Sequence, residues 1–175
     1  MAPAGPTRVD PVDDRHDPEG RGDERQMLAQ WLDVQRQTVF IKVAGLSEDQ
    51  ATRQPVGSPL TTCSGIVRHL RYVERWWFRQ VLEGEELAPP EPADQPDAPF
   101  RVPPGVRLAD LLADYLAEYR HSEQTFANWD LDAVARNPSR PVSCRWVMVH
   151  MIEETARHNG HLDILRELLD GTTGY

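Results

Sequence analysis

Four stretches in which apolar residues recur at three- and four-residue steps, parted by clusters of proline and glycine, leave this chain little choice of architecture. The first carries Met27, Leu28, Trp31, Leu32, Val34, Gln35, Thr38, Val39, Ile41 and Lys42. Asp23 and Gln26 form a capping-box pattern before it, and Gly45 fits a left-handed stop after it. Residues 46–51 read as a short helical turn capped by Ser47, and Pro55, Gly57 and Pro59 then break regular structure. Thr61 or Thr62 caps the second stretch, which holds Ile66, Val67, His69, Leu70, Val73, Trp76, Trp77, Val81 and Leu82 and closes at Gly84. The third, at about 107–128, turns Leu108, Leu111, Leu112, Tyr115, Leu116, Tyr119 and Phe126 inward. The fourth, at about 143–169, holds Trp146, Val147, Val149, His150, Ile152, Leu162, Ile164, Leu165 and Leu168, with Gly171 as its stop. No segment alternates as a strand does. The expected fold is all-α, a four-helix bundle.

At 175 residues the chain is expected to form one domain. Residues 1–22 are rich in Pro, Gly, Asp and Arg and too poor in large apolar side chains to offset their ordering entropy, so they read as a flexible tail ahead of a domain over 23–175. Residues 85–105 hold seven of the 15 prolines and form the one long connection, which permits up-down-down-up wiring as well as simple up-down.

Charge narrows the function. A net charge of -9 with a pI near 5.1 disfavours nucleic acid and anionic membrane surfaces as partners, since both need a basic face. No apolar run reaches the ~20 residues of a membrane span. The first 20 residues lack the apolar core of a signal peptide, so a cytoplasmic location is expected. Cys63 and Cys144 stand far apart, without metal-ribbon spacing, and read as two inert reduced thiols.

Chemistry concentrates in the fourth stretch. At about 100° per residue, Glu154 lies about 40°, His158 about 80° and His161 about 20° round from His150, so all four share one narrow stripe. Ionisable groups facing a core are costly unless a metal or a hydrogen-bond network satisfies them. Imidazole and carboxylate three or four positions apart can meet on one ion, but a full ligand set needs a neighbouring helix, and His69 stands amid Ile66, Val67, Leu70 and Val73. Core or surface histidines satisfied by hydrogen bonds are the competing reading. Glu74 and Arg71 read as solvated, Arg157 as a partner of Glu153, Glu154 or Asp163, and Trp76, Trp77 and Trp146 as core.

These residues carry a family resemblance. The segment His69-Leu-Arg-Tyr-Val-Glu-Arg-Trp-Trp-Phe and the run from Trp146 to Glu167, with GDERQMLAQWLDVQRQTV near the start and GTTG at the close, resemble the DinB-like superfamily. Within it they are most similar to the branch typified by the mini-circle protein of actinobacteria, over about residues 23–173. The arginine-heavy basic complement, 18 of 19 with Lys42 the exception, suits a GC-rich host of that kind. The resemblance implies a four-helix bundle, a divalent metal (zinc or nickel) and a homodimer. It also implies three ligands: a His on the second helix, matched by His69, and a His-x-x-x-His pair on the last. Here Arg157 stands four before His161 and Glu154 four before His158. The related mycothiol-dependent maleylpyruvate isomerases use Glu-x-x-x-His, which would select Glu154 and His158; His158 with His161 is the other reading. The function implied is a metal-dependent transferase or isomerase acting on a low-molecular-weight thiol, mycothiol, and an electrophilic small molecule. The alternative is a non-catalytic dimeric module with a stress-related role.

Overall fold

A computed structural model describes residues 15, 17–89 and 95–174. The expected tail therefore lies outside the described residues at 1–14 and 16, as does the middle of the long connection at 90–94.

Helix α1 spans Glu24–Val43, α2 Glu48–Thr52, α3 Cys63–Glu74, α4 Leu108–Asn128 and α5 Cys144–Asp170. The caps follow local chemistry. Asp23 accepts the Gln26 amide at 2.8 Å, while the Gln26 side chain turns to Glu19 and leaves the capping box half made. Ser47 and Gln50 complete a reciprocal box on α2. Of the two threonines, Thr62 caps α3, accepting the Gly65 amide at 3.0 Å. Gly84 and Gly171 end their helices at φ 73° and 78°, left-handed positions that glycine takes without strain.

The second long helix is not uniform. After Glu74 it widens into a π-helix over Arg75–Glu83 that delivers Trp77, Phe78, Val81 and Leu82 to the core. Such widening re-registers side chains and recurs at functional sites. The long connection carries a 3₁₀ turn at Ala98–Phe100 that packs on α3. Among the described residues no strand forms, and a single antiparallel bridge joins Val134 to Ser143.

Cross-helix contacts set the wiring. Arg25 at the start of α1 donates to the carbonyls of Phe126 and Trp129 at the end of α4, so those two run antiparallel. Arg145 at the start of α5 pairs with Glu24, and Arg166 near its end reaches the Lys42 and Ala44 carbonyls, so α1 and α5 run parallel. His121 and Thr125 of α4 meet Glu83, making α3 and α4 parallel as well. The bundle is up-down-down-up, and the 85–107 connection is the crossover that α3 and α4 require.

Leu32, Val39, Leu70, Phe78, Tyr115, Met148, Met151 and Leu162 fill the interior. Two expectations are corrected. Glu74 is fully buried, not solvated: it continues the inward row Val67–Leu70–Glu74 and is held by the buried Arg36 through two hydrogen bonds of 2.6 and 2.7 Å. The Nε of Arg71 is likewise buried. Trp146 is 45% exposed rather than core, in company with Val149, Ile164 and Leu168, because α5 turns Val147, Met151 and Leu162 inward instead.

Candidate metal centre

α3 runs antiparallel to α5, which brings His69 against the middle of the long last helix. His69 Nε2 lies 2.9 Å from Glu154 Oε1, and His158 Nε2 lies 3.4 Å from the same oxygen. One ligand atom from each of the three lies within 4.8 Å of the others. The i, i+4 spacing of Glu154 and His158 stacks the carboxylate over the imidazole on one face of α5, and His69 closes the triangle from across the bundle. His161 stands outside that triangle. Its Nδ1 is 3.3 Å from Nδ1 of His158, so His158 presents Nε2 to Glu154 and its other ring nitrogen to His161.

Phe100 forms one wall. Its ring stacks on His69 at 3.9 Å between centroids and 10° between planes, and approaches His158 at 5.8 Å. Sequence patterning missed this residue, because it sits in a three-residue turn with no periodicity. Gly65 makes the approach possible: a Cβ there would meet the Phe100 carbonyl oxygen at 2.7 Å and Thr62 Oγ1 at 2.9 Å.

The electrostatics favour a cation. Hydrogen bonds from His158 and then His69 hold the Glu154 carboxyl well below the usual carboxylate range. Burial, outweighing the Glu154 contact, lowers His69, and burial followed by His158 lowers His161. An ionised carboxylate beside neutral imidazole is the protonation state a divalent ion requires. The neutral His69 ring that donates Nε2–H to Glu154 leaves Nδ1 buried without a partner among the described residues. Ligand atoms around a tetrahedral ion with bonds near 2.0–2.1 Å sit about 3.3 Å apart. The two spacings to the carboxylate oxygen, 2.9 and 3.4 Å, bracket that value and the third edge lies within 4.8 Å, so the three side chains could hold a small divalent ion.

Other expected participants lie elsewhere. His150 stacks on Trp146 and meets Trp77 edge-on, with Nδ1 3.6 Å from Glu153. Arg157 pairs with Glu153, as anticipated. Both cysteines are free and buried, and burial pushes each thiol up to about 11. A second group, Glu83, Glu85 and His121, carried no sequence signal because its members sit on different elements with no motif spacing. There Glu83 takes His121 at 2.8 Å and Thr125 at 2.9 Å, and the Arg79 guanidinium lies 3.7 Å from Glu85, supplying the positive charge within the network.

The all-helical up-down-down-up bundle is consistent with the DinB-like fold. The chain belongs to the mycothiol-S-transferase family, whose model matches residues 27–171. That span takes in all of the candidate ligands and most of α1. No curated protein matches the chain. No helix among the described residues is long and apolar enough to cross a membrane.

Proposed function

We propose that this protein is a metal-dependent S-transferase that joins a low-molecular-weight thiol, mycothiol, to an electrophilic small molecule. His69, Glu154 and His158 hold a divalent ion, zinc or nickel, and His161 positions His158. The observation that carries the reading is the convergence of those three side chains on one point. A bound divalent ion supplies the positive charge that stabilises a thiolate near neutral pH.

The chain's own residues do the rest. Glu154 contributes the negative charge that neutralises part of the ion's own. The His161 contact turns His158 so that Nε2 faces the centre, as outer partners of ligating histidines do. Phe100 covers one face of His69 and keeps water from it. In the transfer, the thiol proton passes to solvent, sulfur bonds to the electrophilic carbon, and the leaving group departs with its electron pair. In this reading the working unit is residues 23–175, preceded by a tail over 1–22, and acts as a cytoplasmic homodimer.

A non-catalytic dimeric module, stress-related in role, is the second reading. The exposed apolar residues Trp146, Val149, Ile164 and Leu168 along α5 favour it, since they offer a face that a second copy could cover.

Elemental analysis of protein purified without chelator or affinity nickel, followed by conjugation assays with mycothiol and a panel of electrophiles, tests the proposal. The expected result is about one divalent ion per chain and thiol consumption that chelation abolishes. Stoichiometric metal without turnover across the panel would select the non-catalytic module. Absence of metal would remove the centre altogether.

A further inference from the structure

We propose that Arg68, Arg71 and Arg75 form a binding site for a small oxyanion, a carboxylate or phosphate group carried by a compact molecule. The three side chains, with Tyr72, occupy positions i, i+3, i+4 and i+7 of one helical face and line a cavity of about 210 Å³ walled by Pro89 and Pro99. Like charges at such spacing repel, and a chain of net charge -9 has acids enough to neutralise them.

Among the described residues none of the three guanidiniums has a carboxylate within 4.0 Å. The single acid of α3, Glu74, points into the core and is taken by Arg36. Arg68 spends one donor on the Ala98 carbonyl. Among the described residues Nε of Arg71 is buried with no hydrogen-bond partner, a donor whose desolvation none of them offsets. Unpaired guanidinium forks around a partly closed cavity match the two-oxygen edge of a carboxylate or phosphate. The volume falls below the roughly 300–1,000 Å³ of sites for drug-sized ligands, which suits a small acid.

The cavity shares a wall with the candidate metal centre. In the 3₁₀ turn Ala98–Phe100, Ala98 accepts from Arg68, Pro99 lines the cavity, and Phe100 stacks on His69. An acid held by the arginines therefore sits one turn of chain away from the metal ligands. That relation makes the oxyanion a handle on the electrophilic substrate; this link rests on the function proposed above, whereas the anion site does not.

Calorimetric titration of the full chain with succinate, with inorganic phosphate and with neutral succinamide tests the site. The same titrations on Glu154→Gln separate it from anions binding a metal. The expected result is saturable binding of succinate or phosphate, none of succinamide, and retention in Glu154→Gln. The affinity should fall at least about tenfold in Arg71→Gln and again in Arg75→Gln, both folded by circular dichroism. Whichever anion binds more tightly identifies the group carried by the natural ligand. Binding of neither anion, binding unchanged in both arginine variants, or binding lost in Glu154→Gln would overturn the proposal. If the anion site holds while metal analysis fails, only the metal reading falls.

Discussion

Replacing His161 with alanine and Glu154 with glutamine should weaken metal binding by very different amounts, in an order the geometry dictates. Glu154 contributes the carboxylate oxygen on which His69 and His158 converge at 2.9 and 3.4 Å, and the amide that replaces it carries no charge. Two unit charges 4 Å apart at an effective dielectric near 20 interact by about 4 kcal/mol, or roughly three decades in affinity. A divalent ion at bonding distance should lose no less, so Glu154→Gln is expected to weaken zinc by at least about 10³-fold. Among the described residues the hydrogen-bond partner of His161 is Nδ1 of His158, at 3.3 Å. Removing an outer partner of a ligating histidine costs about 10–100-fold, some 1.4–2.7 kcal/mol. Competition against a chromophoric chelator of known zinc affinity, with circular dichroism to check folding, reads both numbers. An effect of His161→Ala equal to or larger than that of Glu154→Gln would refute the assignment and make His158 and His161 the ligand pair.

Other predictions rest on burial. Glu74→Ala strands the Arg36 charge in the core and should cost about 3–5 kcal/mol, while Arg36→Met with Glu74→Leu should recover most of it; urea denaturation giving less than about 1 kcal/mol for the single change would contradict this. Gly65→Ala places a methyl 2.7 Å from the Phe100 carbonyl oxygen and should cost about 1–3 kcal/mol while relieving the ring-current shift of the His69 ring protons; an unaltered spectrum and stability would show that Phe100 does not depend on the glycine. With both thiols pushed up to about 11, only about one in a thousand is thiolate at pH 8, so native protein should resist iodoacetamide that labels the unfolded chain readily, and equal labelling rates would be the contrary result. His69 is lowered from 6.5 by burial, so below pH 6.5 the unfolded chain binds more protons than the native one and stability falls as pH drops towards the folded value. Urea midpoints of metal-free protein at pH 7.5 and 5.5 should show that fall, smaller in His69→Ala; a midpoint rising on acidification would reverse the sign.

The sequence by itself determined the helices, their caps and the stripe that carries the chemistry. Those features depend on local backbone preference and on a period of 3.6 residues, both readable along one chain. Asp23, Ser47, Thr62, Gly84 and Gly171 stand where the caps form, and Glu154 and His158 share a face because they are four residues apart. The tertiary structure alone decided which helices run parallel, and so which residues of α3 meet α5. It also decided that His69 meets Glu154 and His158 and leaves His161 behind His158, a matter of where α3 crosses α5. Glu74 looked solvated because a charge on an apolar face has no meaning until its partner is known, and Arg36 lies 38 residues away on another helix. Phe100 and the Arg68–Arg75 cavity were invisible for the same reason: each is defined by a turn of the crossover folding back onto α3, a pairing of distant segments that periodicity does not encode.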